Sequence, residues 1–259
     1  MTNESQIMLI KELLEEKYDQ YNRKRFIETD PIAIPHLYSR KEDIEIAGFF
    51  SATIAWGQRS MILKKGYELM DLMDQQPYDF VRNYGKNDLE RFQKFVYRTF
   101  NSQDLIYFIK MLNFLLKKYT TLGSLFETLS KGTNGSYELL SKFHQLCFQN
   151  ENPGRTRKHL ANPAKGSSAK RLNMYLRWLV RKDNRGVDFG LWDFIKPADL
   201  YLPLDVHTGR VGRKLGLLER KSNDWKAVEE ITAKLKTFDA ADPVKYDFAI
   251  FGLGVFEKF

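Results

Sequence analysis

The chain has a single cysteine, Cys147, among 259 residues. One thiol can neither close a disulfide within the chain nor build a multi-cysteine zinc or iron–sulfur site, and this usage fits a reducing compartment. Long apolar runs are missing as well. The longest, Ile46 to Trp56, falls well short of the roughly 20 residues that cross a bilayer. The first residues, Met1 to Lys17, are polar and acidic and lack the apolar centre of a secretory leader. A soluble, cytoplasmic protein with no membrane partner is therefore expected. Valine is scarce, and no stretch alternates apolar and polar residues convincingly, so strand content should be low. No phosphate-cradling G-x-x-x-x-G-K-[ST] loop and no G-x-S-x-G elbow occurs, and Gly252-Leu253-Gly254 lacks the third glycine and preceding strand of a dinucleotide motif. No nucleotide cofactor is expected. Asp205 and His207 form a D-x-H pair without a third spaced ligand, so no metal is expected either.

What is present is an ordinary globular composition, 43% hydrophobic, with a net charge of +8 and a pI near 9.3. The length allows one large or two modest domains. The basic balance points towards a polyanionic partner. Apolar residues at helical spacing mark an amphipathic first helix over Gln6 to Asn22 and a mostly buried one over Asp43 to Trp56. Gly57-Gln58-Arg59-Ser60 turns a corner into a helix marked by Ile62, Leu69, Leu72 and Met73. Further helices are expected over residues 79–84, 88–99, 102–119, 122–129 and 136–148. The fold class is all-α. Residues 152–170 are rich in Gly, Pro, Ser and basic side chains, with little to bury, and read either as an exposed basic loop or as a solvated linker. A helix follows from Lys170 to about Arg181, carrying Leu172, Tyr175, Leu176 and Leu179 on one face. Two more are expected over 224–236 and from Asp242, an N-cap with Pro243 at the first helical position.

The most informative stretch is Pro203 to Leu217. It reads as a short extended approach, Asp205 at an N-cap, and a helix bearing Arg210, Arg213 and Lys214 that ends at Gly216. An N-cap aspartate accepts backbone N–H bonds and faces the positive end of the helix dipole, so its carboxylate is held charged in one direction. Read from the residues alone, Asp205 is either a helix cap or a group placed to stabilise a cation.

This run, P-L-D-V-H-x-x-R-V-x-x-K-L-G-L, resembles the V-P-V-D-x-H-V-x-R-V-x-x-R-L-G-L segment of the helix-hairpin-helix DNA glycosylase superfamily, which includes endonuclease III and the 8-oxoguanine glycosylases. The aspartate of that segment is catalytic, and by similarity the role falls on Asp205. Gly166-Ser167-Ser168-Ala169-Lys170 resembles the G-V-G-x-K part of the superfamily's hairpin, which makes Lys170 the candidate nucleophile and Gly166, Ser167 and Ser168 candidate DNA contacts. The leading Leu-Pro and the second glycine of the hairpin are absent. Gln58, in A-W-G-Q-R-S, resembles the glutamine of the L-S-x-Q-x-T motif and brings Arg59 with it as a DNA contact. Its alternative is a corner residue bonding a helix end. The helix after Asp242 is similar to the superfamily's last helix before its iron–sulfur loop, although no cluster is expected here. Lys170 and Asp205 lie 35 positions apart, about twice the endonuclease III spacing, and the excess falls in a polar and aromatic insertion, Lys182 to Ala198. The archaeal 8-oxoguanine glycosylases, which also have a longer separation, are the nearest analogy.

The resemblance implies two lobes with the active cleft between them, residues 46–185 forming a helical-barrel lobe and residues 1–45 with 186–259 the other. It implies a bacterial conserved-hypothetical family within the superfamily, and an enzyme that excises a damaged base from double-stranded DNA. His207, Arg210, Arg213 and Lys214 would grip phosphate, and Trp56, Trp178 or Trp192 would stack on the extruded base. The competing expectation is a non-catalytic helical protein that binds nucleic acid or another partner, in which Lys170 is a surface lysine and the tryptophans are core.

Overall fold

A computed structural model of the protein describes residues 3–150 and 154–259. Met1, Asn152 and Pro153, which belong to segments read above, lie outside the described residues. The helices are α1 (Asn3–Tyr21), α2 (Lys41–Ile54), α3 (Arg59–Leu72), α4 (Pro77–Asn83), α5 (Ser102–Tyr119), α6 (Leu122–Ser130), α7 (Ser136–Cys147), α8 (Lys170–Val180), α9 (Val206–Lys214), α10 (Trp225–Phe238) and α11 (Tyr246–Val255). The architecture is mainly helical, as the composition predicts. Among the described residues no helix is long and apolar enough to cross a membrane.

One expected helix does not form. In place of a helix over 88–99 there is a 3-10 segment, Lys86–Phe92, and a short antiparallel pair, β1 (Val96–Tyr97) with β2 (Phe100–Asn101). The side chains explain it. Phe95 and Tyr97 are buried while Val96 between them is 51% exposed, so burial alternates with period two, which a helix cannot satisfy. Arg98 turns the pair at φ 53°. Asn101 then starts α5: its side chain accepts the N–H groups of Gln103 and Asp104, and the Asp104 carboxylate accepts the Asn101 N–H at 3.0 Å.

The chain divides into two compact units, residues 1–26, 135–137 and 162–259 in one, and residues 27–134 and 138–161 in the other. These boundaries differ from the expected lobes of 46–185 and the remainder. The hairpin-like stretch 166–170 and α8 fall in the same unit as α9 to α11.

Within the second unit, α2 is buried from Asp43 to Ile54 and packs against α3, α4 and α6. The basic stretch expected to bury little is anchored here. Thr156 and His159 are buried, and Thr156 donates to Asp104 at 2.7 Å. Arg155 pairs with the same carboxylate at 3.1 Å, and the Arg157 guanidinium lies 4.9 Å from the Phe148 ring centre.

In the first unit every residue of α8 from Leu172 to Val180 is buried, including Arg177. Two buried guanidiniums need partners, and the segment after α8 supplies them. Asp188 pairs with Arg177 at 3.3 Å and with Arg181 at 3.1 Å, while Asp183 and Asp242 complete the shell of Arg181. Residues 182–198 are therefore no surface excursion: the Phe189 and Trp192 N–H groups bond to α8 carbonyls, and Trp192 is fully buried. Asp242 turns its side chain to Arg181 rather than capping the segment behind it, which runs first as a 3-10 turn, Pro243–Lys245, and only then as α11. α11 lies so close to α1 that a Cβ on Gly252 would overlap the Tyr21 ring.

Candidate active site

The approach to α8 is a tight basic loop. Asn162 caps a short turn by accepting the Ala164 N–H at 2.9 Å, Gly166 reverses the chain at φ 81°, and the Ser167 hydroxyl accepts the Ala169 N–H at 3.2 Å. Ala169 is buried in the left-handed region, at φ 46° and ψ 35°, where a residue with a Cβ costs on the order of 1 kcal/mol. That conformation delivers Lys170 as the first residue of α8. A lysine there opposes the helix dipole and needs a counter-charge.

The counter-charge is Asp205. It caps α9, its Oδ1 accepting the His207 and Thr208 N–H groups at 2.9 and 3.0 Å. Its Oδ2 lies 3.8 Å from Lys170 Nζ, with the two side chains 25% and 24% exposed. One oxygen is thus fixed by the helix and the other faces the amine, with solvent access to both groups. The separation of 35 positions in sequence does not keep the pair apart, since residues 182–198 fold back on α8.

Asp247, in the first turn of α11, is 5% exposed and is near enough to feel the charges of both members of this pair. Its carboxylate accepts from Arg177. Burial pushes it up to about 6, against the pull of Arg177 and Lys170 and with a push from Asp205. Arg171, the cation next to Lys170, is brought down to about 10 by desolvation and stays charged at neutral pH.

Other candidates are placed differently. Arg210 is exposed but donates to the Gly254 carbonyl at 2.8 Å. Arg213 gives its N–H groups to the carbonyls of Arg220 and Lys221 and to Asn223 Oδ1. It holds a loop. His207 and Lys214 are exposed, Lys214 lying 5.2 Å from the Phe259 ring centre. Gly166 and Ser167 lie along residues 224–225, through a bridge to Asp224 and the Trp225 N–H. Ser168 is half-buried, its carbonyl accepting from Asn173 at 3.1 Å. Gln58 and Arg59 belong to the other unit, at the start of α3, where Gln58 is exposed and makes no side-chain cap bond. Trp178 and Trp192 are core, whereas Trp56 is half-exposed and stacks on His159.

Residues missed by the sequence reading are Arg177, Asp188, Asp247 and Asn223. For Arg177 and Asp247 a signal existed: Arg177 falls inside the otherwise apolar end of α8, in R-W-L-V, and Asp247 inside Y-D-F-A-I-F of α11. Charges in apolar helices must be paired.

Residues 30–256 match the family described as protein of unknown function (DUF2400). No curated protein and no solved structure matches the chain. Matched over most of its length, the chain belongs to the DUF2400 family.

Proposed function

We propose that the protein is a DNA N-glycosylase of base-excision repair, with lyase activity through a lysine Schiff base, acting on a damaged base in duplex DNA. An oxidised purine is the first substrate class to test. The observation that carries this reading is the Lys170–Asp205 pair: an amine 3.8 Å from a carboxylate whose other oxygen is fixed at a helix N-terminus, both open to solvent.

Breaking an N-glycosidic bond builds positive charge on the deoxyribose, and a carboxylate already held in place stabilises that charge without reorganising. Asp205 has this role. Lys170, once deprotonated, attacks the anomeric carbon: the new bond forms from Nζ to that carbon, and the base leaves with the electrons of the glycosidic bond. Opening of the sugar ring then gives the Schiff base, which borohydride reduces to a stable amine. The base must leave the duplex to be reached.

The test is to incubate the wild-type chain with duplexes carrying single defined lesions, measuring free base released and adduct trapped by borohydride. The reading predicts both for at least one lesion. Duplex binding without release or adduct on any lesion would favour the non-catalytic alternative, which the departures from the hairpin motif and the internal bonds of Arg210 and Arg213 support.

A further inference from the structure

Three consecutive residues ahead of and at the start of α10 hold both halves of the candidate site. Asn223 Nδ2 donates to the main-chain carbonyl of Asp205 at 3.0 Å, while its Oδ1 accepts from Arg213 at 2.7 Å. Asp224 pairs through its backbone with Ser167, and the Trp225 N–H donates to the Gly166 carbonyl at 3.0 Å. The loop that ends in Lys170 and the helix that begins at Asp205 therefore hang from one strap. Space for it is reserved: a Cβ on Gly209 would fall 2.5 Å from Asn223 Oδ1. The strap is itself stiffened, because the Asp224 side chain caps α10 through the Ala227 N–H and is forked by Arg220.

We propose that Asn223 is a positioning residue that sets the separation of Lys170 and Asp205. It touches neither reacting group; it fixes the peptide from which the Asp205 side chain springs, on the same strap that fixes the Lys170 loop. This rests on the proposed glycosylase reading for its effect on rate, but its geometric content stands apart from that reading. Asn223→Asp separates its two bonds, since a carboxylate still accepts from Arg213 but cannot donate to the Asp205 carbonyl. Asn223→Ala removes both.

The experiment measures single-turnover cleavage, undamaged-duplex affinity and melting temperature for the full-length wild type and both variants, with a crystal structure of each variant. In both variants the chemical rate falls on the order of 10- to 100-fold, the cost of a displacement of about 1 Å at the reacting pair. Affinity and melting stay close to wild type in Asn223→Asp. The Lys170 Nζ to Asp205 distance grows beyond the reach of an ion pair, about 4 Å. If Asn223→Ala fails to fold, Asn223→Asp decides alone. A pair still within that reach overturns the proposal, and so does a wild-type rate in Asn223→Asp. If the wild type itself neither cleaves nor traps, the glycosylase reading falls, and the measured distance still decides the role of Asn223.

Discussion

Asp247 is the residue with the clearest pH signature. Burial raises its carboxyl to about 6 from an ordinary 3.8, so between those values the folded chain holds a proton that the unfolded chain has released. The resulting stabilisation is full below the unfolded value and is lost as pH rises through about 6. Wild-type melting temperature should therefore fall, from this group, as pH rises across that window, and Asp247→Asn should remove that component. Thermal melts of both proteins over the window check it, and identical profiles would remove Asp247 as the cause. The same proton touches the proposed chemistry. Neutral Asp247 no longer adds negative potential beside Lys170 and Asp205, so a rate limb near pH 6 should shift in Asp247→Asn. Lys170 and Asp205 could be singled out as candidates from sequence because each sits at a helix start within a recognisable run, and the structure brings the two together. Asn223 could not, since its partner is a backbone carbonyl 18 positions away and an asparagine after a serine reads as loop.

Among the elements, α9 ended where its sequence said it would. The Leu217 N–H reaches the Gly212 carbonyl at 2.8 Å and Gly216 turns at φ 69°, closing the helix with a glycine in the left-handed region. Asn101, Asp205 and Asp224 cap α5, α9 and α10 in the structure by accepting first-turn N–H groups, and of the three only Asp205 is read as a cap from sequence. What the sequence concealed was depth of burial. The apolar stripe of α8 suggested a one-sided helix, whereas all nine residues from Leu172 to Val180 are buried, because paired carboxylates from elsewhere let Arg177 go inside. The pair β1 and β2 was hidden by its length, two residues a strand. At the contact of α11 with α1, Gly252→Ala forces a methyl into the Tyr21 ring. Overpacking of this kind costs about 1–3 kcal/mol, and a chain of this size loses roughly 2–4 °C of melting temperature per kcal/mol. A differential-scanning melt indistinguishable from wild type would mean that Tyr21 yields freely.

For the whole molecule, the net charge of +8 is the property that DNA binding would use. Duplex affinity should fall steeply with salt, and Lys214→Ala, which removes an exposed cation of α9, should lower the log–log slope by about one if that lysine meets a phosphate. An unchanged slope, read by fluorescence anisotropy over a salt series, would mean that Lys214 faces solvent in the complex. The claim that the chain as a whole is a glycosylase with lyase activity is tested most directly by comparing Lys170→Gln and Asp205→Asn with wild type on one cleavable lesion duplex. Single-turnover base release and borohydride trapping are followed together, with melting temperature and duplex affinity as controls. Asn caps a helix about as well as Asp, so the account predicts that Asp205→Asn folds and binds normally but loses base release, and that Lys170→Gln yields no trapped adduct. Full base release by Asp205→Asn, or an undiminished adduct from Lys170→Gln, would contradict it.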